Sequence, residues 1–148
     1  MIGRTLGRYR ITAKLGEGGM GSVWRAEDPA LNRTVALKLL STALWASEPA
    51  RQRFIVEARA VASLSHPGVV GVFDLGETED PAWVAYQFIE GETVAARIER
   101  GPLSPAEARA LALDTAEALA HAHAHGVIHR DVTARNVMVT PAGRAVLV

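Results

Sequence analysis

Cysteine is missing altogether from this chain, which excludes a disulfide framework and any zinc site built on thiolates. Lysine is nearly missing: of 16 basic residues, Lys14 and Lys38 are lysines and all the others are arginines. Where arginine serves almost every positive charge, a retained lysine asks for a specific reason. Net charge is missing too, since 16 basic residues cancel 16 acidic ones. With that balance, nothing suggests the basic stripe of a nucleic-acid binder or a surface for an anionic membrane. No apolar run reaches the length of a bilayer span, and Met1-Ile2-Gly3-Arg4 lacks the pattern of a secretory signal, so a soluble cytoplasmic protein is expected. No internal repeat or low-complexity tail interrupts the chain. What is present is 148 residues of 49% hydrophobic content, enough for a sizeable core.

The first stretch, to about residue 88, reads as short strands broken by glycine clusters, with one helix inserted. Tyr9–Leu15 and Ser22–Ala26 are expected strands on either side of Gly16-Glu17-Gly18-Gly19-Met20-Gly21. Asp28-Pro29 and Asn32 mark a turn before a third strand, Thr34–Leu40. Helical periodicity runs from about Glu48 to Leu64 and ends at His66-Pro67-Gly68. Val69–Asp74 and Trp83–Phe88 look like two further strands. The second stretch is helical. Ser104-Pro105-Ala106-Glu107 is a capping box with proline at the first helical position, and Gly126 is placed to end the helix after His125. Ala108, Leu111, Ala112, Thr115, Ala118, Leu119 and Ala122 share one face of it. A polar loop, a short strand at Val137–Val139 and a last strand ending at Val148 follow. The coarse expectation is an α+β chain: a small sheet-rich lobe joined near Gln87–Gly91 to a helical one.

Three groups of residues carry chemistry. Gly16-x-Gly18-x-x-Gly21-x-Val23 is a glycine-rich loop of the kind whose backbone N–H groups can approach a phosphate. An ordinary hairpin turn would look the same. A dinucleotide-binding turn is excluded, because it needs a helix straight after the loop and Ser22–Ala26 continues as a strand. Lys38 stands among apolar residues in Val35-Ala36-Leu37-Lys38, so it must reach a polar face or meet a partner. A solvent-facing strand lysine is one solution. Glu57 offers another: Phe54, Glu57, Val61 and Leu64 have the spacing of one helical face, which sets a carboxylate in an apolar stripe. A Lys38–Glu57 ion pair would satisfy both. The third group is His129-Arg130-Asp131-Val132-Thr133-Ala134-Arg135-Asn136.

Taken together and in this order, these groups resemble the protein kinase family. The fold this implies is protein-kinase-like: an antiparallel β lobe with one helix at 9–88, a hinge region at 89–91, and an incomplete helical lobe at 92–148. The resemblance gives Asp131 the role of catalytic base, Lys38 contact with the α- and β-phosphates of ATP, Glu57 the partnership of Lys38, and Asn136 a place on Mg2+. Leu15, Gly16, Gly18, Gly21, Val23, Ala36 and Met138 match the nucleotide-contacting positions, Tyr86 the gatekeeper, and Gln87, Phe88 and Ile89 the hinge that meets the adenine edge. Gly-Glu-Gly-Gly-Met-Gly, Leu-Ser-His-Pro and Glu-Gly-Glu-Thr are similar to bacterial serine/threonine kinases. The implied activity is transfer of the ATP γ-phosphoryl group to a serine or threonine hydroxyl of a protein substrate. The alternative is a catalytically incomplete, kinase-derived module that binds nucleotide or another protein.

Two departures qualify that resemblance. Serine/threonine kinases usually carry lysine two residues after the aspartate, where Thr133 stands; Arg135 sits where tyrosine kinases carry arginine, and is expected to supply the missing charge. Arg144–Val148 resembles the strand that precedes Asp-Phe-Gly, the family's main magnesium ligand. The chain ends there, so these 148 residues alone are expected to turn over negligibly unless a C-terminal segment completes them. His121-x-His123-x-His125 looks like a metal tract, but on a helix His123 points away from the other two. No transition metal is expected there.

Overall fold

The computed structural model describes residues 1–77 and 81–148, and the chain divides into two compact units: Met1–Ala62 with Gly71–Phe88, and Ser63–Val70 with Ile89–Val148.

The first unit is a sheet of six strands, β1 (Thr5–Leu6), β2 (Tyr9–Gly18), β3 (Gly21–Asp28), β4 (Arg33–Leu40), β5 (Val72–Gly76) and β6 (Trp83–Gln87), with helices α1 (Thr42–Trp45) and α2 (Glu48–Ala62). The strand order is β1-β2-β3-β4-β6-β5 and every neighbouring pair is antiparallel. Side-chain alternation gives the sheet two working faces. Tyr9, Ile11, Ala26, Val35, Leu37, Leu39, Trp83 and Ala85 form one core, with the Tyr9 ring edge-on to Trp83 at 5.3 Å. On the opposite face Leu40 and Val84 pack with Phe54 and Ala58 of α2.

That packing corrects the reading of α2. Its buried residues are Phe54, Ile55 and Ala58, while Glu57 is exposed beside them. The small Ala58 lets the helix lie close to the sheet, and Leu64 falls beyond the helix end, so the stripe turns away from Glu57.

The second unit holds β7 (Glu92–Thr93), α3 (Val94–Glu99), α4 (Pro105–Ala124), β8 (Val137–Val139) and β9 (Ala145–Leu147), with β7-β8-β9 as a small antiparallel sheet. Ser104 caps α4: its Oγ accepts the Glu107 N–H at 3.1 Å, and Glu107 Oε2 accepts the Ser104 N–H at 2.9 Å. The core joins Leu111 and Ala118 of α4 to Val137, Ala145 and Leu147. The sheet covers only a narrow strip of the helix. Leu111, Ala118 and Ala122 are buried, whereas Ala108 and Ala112, expected on the same face, are exposed.

The strand expected at Val69–Asp74 is divided between the units. Val70 donates its N–H to the Leu147 carbonyl at 3.0 Å and Leu147 donates to the Gly68 carbonyl at 2.8 Å, so residues 63–70 belong with β9, and β5 begins at Val72. Gly68 also lies close to α4: a Cβ there would sit 3.0 Å from the Ala118 methyl carbon. Among the described residues no helix is long and apolar enough to cross a membrane.

Candidate nucleotide and catalytic site

In the first unit the glycine-rich segment is the tip of the β2–β3 hairpin. Gly18 pairs with Gly21, leaving Gly19-Met20 as the turn, and Met20 O accepts the Ser41 N–H at 3.0 Å. The glycines are not equivalent. Gly21 has φ 150° and a Cβ there would lie 1.9 Å from the Leu39 carbonyl oxygen, so the fold itself demands glycine. Gly16, Gly18 and Gly19 have no positive φ, and a Cβ on any of them would meet nothing within 4 Å. Their side-chain space is open. A register shift between Lys14 and Gly16 sets Leu15 outside the ladder, 48% exposed.

Strand pairing collects the other residues. Gly16 lies opposite Val23, Val23 opposite Lys38 and Lys38 opposite Val84; Ala36 lies opposite Tyr86. Partners directly across an antiparallel sheet share a face. Val23, Ala36, Lys38 and Tyr86 are therefore on one face, the one whose far end α2 covers, and each is half-buried. Gln87 ends β6, with its Oε1 accepting the Gly71 N–H at 3.2 Å, and Phe88 lies under the Arg25 guanidinium at 5.4 Å.

The two lysines have different surroundings. Lys14 pairs with Glu17 and stands over the Trp24 ring at 5.6 Å. Lys38 has no ion pair among the described residues, and the expected bridge to Glu57 is not formed. Glu57 bears instead on Tyr86. Burial, and then the negative charge of Glu57, push the Tyr86 hydroxyl up to about 12. Helix α2 thus carries the carboxylate to the lysine's side of the sheet without closing the pair.

In the second unit the residues of the 129–136 loop hold one another. Asp131 donates its N–H to His129 Nδ1 at 3.2 Å, so the remaining ring proton is on Nε2 and goes to the Val148 carbonyl at 2.9 Å. Arg130 has φ 68°, unusual for a residue with a side chain, and it bends the loop between His129 and Asp131. Asn136 directs Nδ2 to the Asp131 carbonyl at 2.9 Å and to Asp131 Oδ2 at 3.0 Å. Asn136 Oδ1 accepts no hydrogen bond among the described residues; on a half-buried residue beside a carboxylate, it is the donor type that Mg2+ takes. Thr133 accepts the Asn136 N–H on its carbonyl at 3.0 Å, and Ala134 accepts the Ala95 N–H at 2.9 Å. Arg135 is exposed, without an ion pair among the described residues. Met138 lies in β8 opposite Val146 and Thr93.

Sequence reasoning missed the anchoring network of the hairpin's far end. Asp28 is 1% exposed and accepts from Arg8, Arg33 and the N–H groups of Ala30 and Leu31. Its two arginines are 20 and 5 residues away, so only the local Asp28-Pro29 turn was visible.

These elements define a class of protein. Residues 9–147 match the protein kinase domain family, and the chain belongs to it. Its α+β fold is that of solved kinases: the apo form of PpkA-294 superposes with a TM-score of 0.88 at 28% identity, covering 99% of this chain and 59% of that one. Among curated relatives, the serine/threonine-protein kinase pkn2 of Myxococcus xanthus is 40% identical over 138 residues, 93% of this chain and 17% of its own length. PrkC of Bacillus subtilis, also a serine/threonine-protein kinase, is 37% identical over 145 residues, 97% of this chain and 22% of its own. The chain therefore spans about a fifth of the length of these two relatives.

Proposed function

We propose that this chain is the nucleotide-binding part of a serine/threonine protein kinase that transfers the ATP γ-phosphoryl group to a protein hydroxyl. The observation that carries the reading is the open space over Gly16, Gly18 and Gly19. Nothing among the described residues requires glycine at these three positions, and a phosphate chain approaching hairpin N–H groups requires the absence of Cβ atoms.

Val23 and Ala36 offer an apolar surface for the adenine, with Leu15 and Met138 as further contacts and Gln87–Ile89 for its edge. Lys38 puts a cation beside the α- and β-phosphates. Asn136 Oδ1 would hold Mg2+, which when bound neutralises charge on the phosphates. Asp131, its carboxylate fixed by Asn136 Nδ2, orients the substrate hydroxyl. That oxygen forms the new bond to the γ-phosphorus, the bond from phosphorus to the β–γ bridging oxygen breaks, ADP leaves, and the hydroxyl proton passes to Asp131. Dependence on ATP puts the reaction in the cytoplasm, and the substrate is a protein with accessible serine or threonine.

A second reading is a module that binds nucleotide without turnover. The open Lys38–Glu57 pair favours it. One pair of measurements separates the two. Titration with ATP, with and without Mg2+, tests binding, and Gly18→Ala should weaken it while leaving Tm unchanged. Transfer of labelled γ-phosphate by the full-length protein tests turnover, and Asp131→Asn should lower it by about 10²–10⁴-fold. Tight Mg-ATP binding with no transfer supports the second reading; no nucleotide binding at all rejects both.

A further inference from the structure

Three imidazoles of the second unit lie tilted against one another where residues 63–70 meet the end of α4. His66 lies 5.1 Å from His121 between ring centroids, and His121 lies 4.4 Å from His125. Two of them are hydrogen-bond acceptors. His66 Nδ1 accepts the Gly68 N–H at 2.9 Å, a bond inside the segment that fixes the ring, and His121 Nε2 accepts the Ser65 N–H at 3.3 Å, the bond that crosses to α4. An imidazole accepts only when neutral, so His66 must carry its proton on Nε2 and His121 on Nδ1. His125 differs: its Nδ1 donates to the His121 carbonyl at 2.9 Å, a bond that survives protonation.

We propose that His66 and His121 form a proton-operated clasp, which holds the 63–70 segment on α4 when both rings are neutral and lets it go on acidification. Protonation of either ring turns its acceptor nitrogen into a donor facing an N–H, and protonation of both sets like charges side by side. The charged neighbours are few. The 63–70 segment offers only His66, β9 offers none, and α4 offers His125 one turn on and Glu117 one turn back. Burial first, then His125 and His66, hold His121 below its ordinary value of 6.5. A depressed histidine contributes stability that is fully present above the ordinary value and fades as pH falls through the folded one. Gly68 extends the effect, because its carbonyl accepts from Leu147 and the next residue's carbonyl, that of Val148, is the acceptor for His129. Opening the clasp loosens the strand against which the 129–136 loop is hung.

The test is made on the full chain. Long-range nitrogen–proton NMR should find the Nε2–H tautomer at His66 and the Nδ1–H tautomer at His121. Exchange of the Ser65 and Gly68 amides, corrected for intrinsic chemistry, should speed up as pH falls below the ordinary histidine value, by up to tenfold per pH unit. Asparagine can place an acceptor at the Nδ1 position and glutamine at the Nε2 position without titrating, so His66→Asn with His121→Gln should keep the segment docked and abolish the acid response. The reverse tautomers, amides at 65 and 68 that only follow those of α4 across this range, or an acid response that persists in the double variant would each overturn the proposal.

Discussion

Asp28 is the one charged side chain buried among the described residues, and its surroundings decide how acid acts on the first unit. Burial pushes its carboxyl up, but the Arg8 hydrogen bond, the Leu31 N–H and the Arg33 contact outweigh burial and hold it below the usual carboxylate range. A depressed carboxylate stabilises the folded chain above its ordinary value and loses that contribution as pH falls through the folded value. Asp28→Asn should lower Tm at neutral pH and flatten the acid side of the Tm profile, by more than Glu92→Gln, which removes only an exposed pair with Arg100. Equal effects from the two variants would show that burial of Asp28 has no energetic weight. Arg135 poses the complementary question on the other unit, since it is exposed and unpaired among the described residues, with Thr133 where a serine/threonine kinase has lysine. If its charge meets the transferring phosphate, Arg135→Ala in the full-length protein should cut kcat about 10²-fold while Arg135→Lys retains much of it. Unchanged turnover in Arg135→Ala would reject the assignment.

At the scale of elements, local chemistry that closes on itself was legible in the sequence. The α4 start is the clearest case, because Ser104 and Glu107 satisfy each other within one turn. Ser104→Ala should cost about 1 kcal/mol of stability, read from denaturant unfolding, with the helix frayed at its first turn. The motif residues of the candidate site were legible for the same reason: the hairpin glycines, Lys38 and the 129–136 loop are each fixed by short-range spacing. What escaped depends on partners far along the chain. Phe54, Ile55, Ala58, Val61 and Leu64 admit two helical faces, and the sheet chose the one that leaves Glu57 outside. Val69 and Val70 have strand-forming side chains, yet their partner is Leu147, and no local pattern announces it. The short elements β1, α1, β7 and α3 carry too few residues for periodicity to register.

At the scale of the whole molecule, each unit has its own apolar core. The first buries side chains on both faces of the six-stranded sheet, the second between α4 and the β8–β9 pair. Separate cores allow separate local stabilities, since a cavity is felt first by the groups that lined it. Leu111 is buried against Val137, Ala145 and Leu147, so Leu111→Ala should remove about 2–5 kcal/mol from the second unit. Hydrogen exchange would resolve where that loss falls. The amides of Val137–Val139 and Ala145–Leu147 should lose protection strongly, while those of Val35, Leu37 and Leu39 in β4 keep theirs. If protection in β4 falls by the same factor, the chain opens as one cooperative body and the two cores are not energetically distinct.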